Sequence, residues 1–187
     1  NLDIIQKEIE NWIINYLDKP SLHFNNMPPC PFAKKAWMEN KVKTVLGQEE
    51  KVIEEITNWS DDYDLIAVIF QEWDNLDKWE QEFNKELHKK DLYVMCFDPK
   101  DDCEDPNQTE EDWGYLSDED YGWVFIQRLS KVNKYSELLE KGGYYVNTSK
   151  EFKNYVKQRR FYNGTRNEKS NEKEEGNDSG RKEKAHG

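Results

Sequence analysis

Leu65-Ile66-Ala67-Val68-Ile69-Phe70 is an unbroken apolar run, preceded by Asp61-Asp62 and followed by Gln71-Glu72. A strand with one wet face alternates apolar and polar residues, whereas a strand covered on both faces does not. This run therefore reads as a central strand. Outward on its N-terminal side, Val42, Thr44 and Leu46 alternate with Lys41, Lys43 and Val45, a strand stopped by Gly47. Glu49 and Glu50 then open a helix with Val52, Ile53, Ile56 and Trp59 on one side, the acids suiting its positive end. On the C-terminal side, Asp74 or Asn75 caps a helix carrying Leu76, Trp79, Phe83 and Leu87. Leu92-Tyr93-Val94-Met95-Cys96-Phe97 follows as a third apolar strand.

Further out, Gly122-Trp123-Val124-Phe125-Ile126 reads as a fourth strand, and Ser130 as the cap of a helix reaching Gly142-Gly143. Thr148 to Glu151 has the spacing of a capping box, before Phe152, Tyr155 and Val156 on one helical face. Before the sheet, Leu2, Ile5, Ile9, Trp12, Ile13 and Tyr16 recur at helical spacing until Lys19-Pro20. The expected fold is α+β or α/β: a layered sandwich of about four strands with helices packed on the sheet, preceded by an N-terminal helix. The expected division is helix 1–19, proline-rich loop 20–40, sandwich core 41–162 with an acidic loop at 98–120, and a disordered tail 163–187.

The loop centres on Pro28-Pro29-Cys30-Pro31-Phe32-Ala33-Lys34-Lys35-Ala36-Trp37. Its prolines remove N–H donors, so the stretch reads as neither helix nor strand. Its cysteine and aromatics make it a lid packed on the core or one wall of a site.

Composition narrows the function. The net charge is −12, and residues 163–187 hold six basic and six acidic residues, so the excess lies in the body. That disfavours binding nucleic acid or an anionic membrane, both of which need clustered Lys and Arg. It leaves cations and basic proteins as partners. Three cysteines, Cys30, Cys96 and Cys103, have no framework spacing and read as reduced thiols of a cytoplasmic protein. The chain begins with Asn1 and shows no secretory signal or long apolar span, so its Asn-x-Ser/Thr triplets read as chance products.

Specific chemistry is sparse. In the acidic loop Asp98, Lys100, Asp102 and Glu104 fall at alternate positions, but the turn glycine and closing glutamate of a calcium loop are missing. His23, His88 and His186 form no metal-ligand pattern. No glycine-rich phosphate turn follows the first strand. No cofactor is expected. The candidate site residues are Cys30 as nucleophile or ligand, Asp98 as base or metal ligand, and Arg128 as an anion clamp.

The Cys30-Pro31-Phe32-Ala33 motif resembles an uncharacterised bacterial family of small domains, in which an N-terminal helix and such a loop precede a Val-rich strand. The likeness runs from about Trp12 to Tyr145 and supports the fold; it implies no activity. The family's Phe-His-Pro motif is Phe97-Asp98-Pro99 here, and its Asn-Arg-Ser-Pro loop is Gln127-Arg128-Leu129-Ser130. Only Cys30, Phe32, Pro99 and Arg128 carry over, with Asp98 standing where a histidine would. The Lys-, Asn- and Trp-rich style also resembles proteins of marine T4-like phages.

Three functional readings follow. The leading one is a non-enzymatic protein-binding or regulatory module, contacting a partner or a second copy through the first helix or the acidic loop. The alternatives are a small enzyme with Cys30, Asp98 and Arg128 in one pocket, and an acidic mimic of nucleic acid.

Overall fold

The computed structural model describes residues 1–98 and 121–175, with side chains as far as Tyr162. Most of the acidic loop, Cys103 and residues 176–187 lie outside the described residues. A four-stranded mixed sheet forms the centre: β1 (Val42–Leu46), β2 (Leu65–Phe70), β3 (Leu92–Phe97) and β4 (Gly122–Arg128). The order across the sheet is β1-β2-β4-β3. β1 runs parallel to β2, while β4 is antiparallel to both its neighbours. Six α-helices accompany it among the described residues: α1 (Leu2–Trp12), α2 (Ala33–Met38), α3 (Glu49–Thr57), α4 (Leu76–Leu87), α5 (Leu129–Lys141) and α6 (Lys150–Glu175). The chain is α+β, a sheet layered between helices.

The pleat sorts the core into two layers. Ile66, Val68 and Phe70 of β2, Val94 of β3, and Val124 and Ile126 of β4 pack with Val52 of α3 and Leu76 and Leu87 of α4. On the other face Ala67, Ile69 and Trp123 meet Ile9 of α1, with Ile13 and Leu17 of the π-helical turn that extends it. Both faces of β2 are thus covered, which is why its sequence does not alternate. Gly122 is required where β4 begins: a Cβ there would lie 2.2 Å from the Phe70 ring and 2.7 Å from the Phe97 carbonyl oxygen.

The proline-rich loop is packed down. Phe24 is 1% exposed and stacks on Tyr144 with ring centroids 4.7 Å apart. The Tyr144 hydroxyl donates to the Pro29 carbonyl. His23 is buried edge-on against Phe24.

Several local expectations are corrected. The loop carries a helix, α2, because proline constrains the residues up to Pro31 while Ala33 to Met38 are good helix formers. Ile53 is 45% exposed, and it is Glu55 of α3 that is buried, at 3%. Two ammoniums hold it there, Lys43 Nζ at 2.6 Å and Lys51 Nζ at 3.1 Å. Ser130 does not cap α5, which starts at Leu129 after Arg128; Ser130 bonds Asp91 instead, through its N–H at 2.9 Å and its hydroxyl at 2.7 Å. The cap of α6 is Ser149, whose hydroxyl accepts from the Phe152 N–H at 3.1 Å, while the Thr148 hydroxyl turns back to the Tyr145 carbonyl. The backbone of α6 runs from Lys150 to Glu175.

Candidate functional site

Arg128 and Asp98 stand at opposite ends of one antiparallel pair. Arg128 is the register partner of Leu92 at the start of β3, whereas Asp98 follows the end of that strand. At roughly 3.3 Å per residue the two Cα positions are about 20 Å apart. Cys30 belongs with neither. It packs among the residues on the α1 face, while Arg128 shares the α3 face of β4 with Ile126 and lies over the Trp59 ring. The structure does not bring the three residues together.

Each has a local explanation. The Cys30 N–H donates to the Leu17 carbonyl at 3.3 Å, and burial pushes its thiol above the ordinary value against the opposing effect of nearby N–H groups of Phe32 and Ala33. A raised thiol holds little thiolate near neutrality, the reverse of an activated nucleophile. Arg128 makes a two-pronged bond to Asp61, at 2.7 Å from Nε and 2.8 Å from the second guanidinium nitrogen, and sits 5.6 Å from the Trp59 ring. The guanidinium and the Trp59 N–H hold Asp61 well below the usual carboxylate range. Asp98 lines an open cleft of about 320 Å³ at the start of α4 with Asn75, Leu76, Asp77 and Lys78. Among the described residues, no group of three or more His, Cys, Asp or Glu is placed to hold a metal ion.

The informative geometry is at the edges of the sheet, where the strand order leaves β3 and β1 outermost. An edge strand presents unpaired N–H and C=O groups that will pair with another chain unless they are blocked. At β3 they are blocked by side chains of α4. Asn84, 2% exposed, donates to the Val94 carbonyl and accepts from the Val94 N–H, both at 2.9 Å. One turn earlier, Glu80 accepts from the Cys96 N–H at 2.8 Å, and its other oxygen accepts from the Tyr155 hydroxyl of α6 at 3.1 Å. Burial pushes the Glu80 carboxyl above its ordinary value, partly opposed by those two donors. Burial also raises the hydroxyls of Tyr93 and Tyr155 beside it. Asn84 supplies to the strand the two bonds that a fifth strand would have supplied.

β1 has no such cover. The Leu65 N–H donates to the Lys41 carbonyl at 3.3 Å, and the Gly47 N–H to the Ile69 carbonyl at 3.0 Å. A strand's groups alternate from side to side, so Lys43 and Val45 turn toward β2. Val42, Thr44 and Leu46 therefore point their N–H and C=O groups away from the sheet. No hydrogen bond among the described residues reaches those outward groups. Thr44 lies under α1, its hydroxyl accepting from Gln6 at 2.7 Å, and its side chain is buried at 8% exposure. At the strand's end Leu46 is 49% exposed.

Sequence reasoning missed Glu80, Asn84 and the β1 edge. One signal was available: Glu80 and Asn84 fall on the stripe formed by Leu76, Phe83 and Leu87, where a polar side chain must find a partner. The state of an edge depends on strand order, which local pattern does not carry.

No protein-family model matches the chain, and the comparisons with curated proteins and with solved structures found no significant match.

Proposed function

We propose that the protein is a non-enzymatic protein-binding module, and that its docking element is the free edge of β1, to which a partner adds an extended strand. One observation carries this reading: the edge at β3 is blocked by Asn84 and Glu80, while the outward groups of Val42, Thr44 and Leu46 are unbonded among the described residues. The separation of Cys30, Asp98 and Arg128 supports it from the other side, since a site under the proline-rich loop needs all three. Strand addition takes affinity from main-chain bonds and specificity from alternate side chains. On β1 those are small or apolar, Val42, Thr44 and Leu46, with Lys43 already held by Glu55.

The test is amide exchange in dilute protein, with an acetylated Thr-Val-Thr-Val-Thr-Val peptide as the added strand. The N–H groups of Val42, Thr44 and Leu46 exchange fast in the free protein and those of Lys43 and Val45 slowly. Adding the peptide slows the first three. Slow exchange at all five positions in the dilute protein overturns the reading, because the edge is then already covered.

A further inference from the structure

We infer that the natural occupant of this edge is β1 of a second copy, running antiparallel about a two-fold axis at Thr44; this rests on the reading of β1 as a strand-accepting edge.

The outward positions are self-complementary. With Thr44 opposite its own copy, Val42 faces Leu46 of the other chain, and each of these residues exchanges both its N–H and its C=O bond with the residue it faces. Moving the axis to Val42 sets Lys41 against Lys43 and leaves half the strand unpaired. Moving it to Leu46 runs Thr44 off β1 and onto Gln48. Centred on Thr44, Lys43 faces Val45 and Lys41 faces Gly47, so no like charges are opposed.

Charge points the same way. Each chain carries −12, which opposes association at long range. Residues 40–48, Asn-Lys-Val-Lys-Thr-Val-Leu-Gly-Gln, contain no carboxylate, so pairing through them brings two acidic bodies together along a stretch free of acid. Leu46, 49% exposed at the end of β1, gains cover when a second strand arrives. A single short strand pair is a small contact by the measure of stable dimers, so the assembly is weak and concentration-dependent. It strengthens with salt, because the Debye length falls to about 8 Å at 0.15 M and the body-to-body repulsion is screened.

Light scattering and sedimentation over a concentration series test this, with amide exchange read on the same samples. The mass is expected to rise from 22.5 kDa toward twice that value, more readily at higher salt, as exchange at Val42, Thr44 and Leu46 slows. Val42→Pro removes an outward N–H from each copy while leaving the bonds to β2 in place. It should raise the concentration of half-association about tenfold or more. If that variant does not fold, Leu46→Glu changes an exposed side chain at the same contact and should shift the midpoint in the same direction. A wild-type mass of 22.5 kDa at every concentration, with exchange independent of concentration, overturns the second-copy inference. In that case slowing by the Thr-Val peptide leaves the strand-accepting reading standing, and no slowing by either removes both.

Discussion

Replacing Asn84 by Ala should cost the fold about 2–4 kcal/mol. The side chain is 2% exposed and makes two 2.9 Å bonds to a residue, Val94, that is itself 0% exposed. Truncation leaves one N–H and one C=O of β3 without partners, and each orphaned buried group costs about 1–3 kcal/mol. The lower part of the summed range applies because the groups lie at a strand rim that water reaches once the amide is gone. Urea unfolding followed by tryptophan fluorescence reads the effect. With a slope of about 2 kcal/mol per molar, usual for a body of this size, the midpoint falls by about 1–2 M. Asn84→Leu separates hydrogen bonding from packing, since it refills the volume but restores neither bond. Both variants should therefore be destabilised. A leucine variant within about 1 kcal/mol of wild type would refute the argument, because the cost of the alanine would then be a cavity.

Glu80 should show the inverse of the usual pH dependence of a carboxylate, and Glu80→Gln should remove it. Its folded value is raised from the ordinary 4.5. Its contribution is therefore fully present below 4.5 and lost as pH rises through the raised folded value. Unfolding midpoints of wild type should fall relative to Glu80→Gln across that window; parallel curves would show that the carboxyl titrates normally. Cys30, with its thiol raised by burial, should resist iodoacetamide at pH 7–8 and react when the protein unfolds, measured in a Cys96→Ala, Cys103→Ala background. Rapid native labelling would contradict the packed loop. Phe24→Ala, at a 1% exposed ring stacked on Tyr144, should cost about 3–5 kcal/mol in the same urea assay and speed Cys30 labelling.

The elements that could be read from sequence are those whose own composition settles them. Leu65–Phe70 has no polar residue, so its burial on both faces is written in the run itself. Leu92–Phe97 is similar, and the stop at Gly47 needs only a residue that ends a strand. What depends on a distant partner could not be read. The run of β and α elements suits a parallel sheet as well as a mixed one, and nothing near Gly122 says that β4 enters between β2 and β3. Arg128 follows a strand in either case, but its attachment to Asp61 and Trp59 depends on where α3 ends in space. Asn84 was hidden differently: taken alone it is an ordinary helix residue, and only the backbone of Val94 beside it gives it a role.

The insertion of β4 sets an order of events during synthesis. β1 and β2 are neighbours joined through one helix, and they can pair as soon as both have left the ribosome. β3 is finished at Phe97, but its ladder partner begins only at Gly122. Elongation at about 5–20 residues per second leaves this apolar strand without a neighbour for a second or more. The groups that bond its outer side in the finished fold are already in the chain by then, because α4 precedes β3 and carries Asn84 and Glu80. The same two side chains that seal the outer side of β3 in the finished sheet are thus made before the strand that seals its inner side.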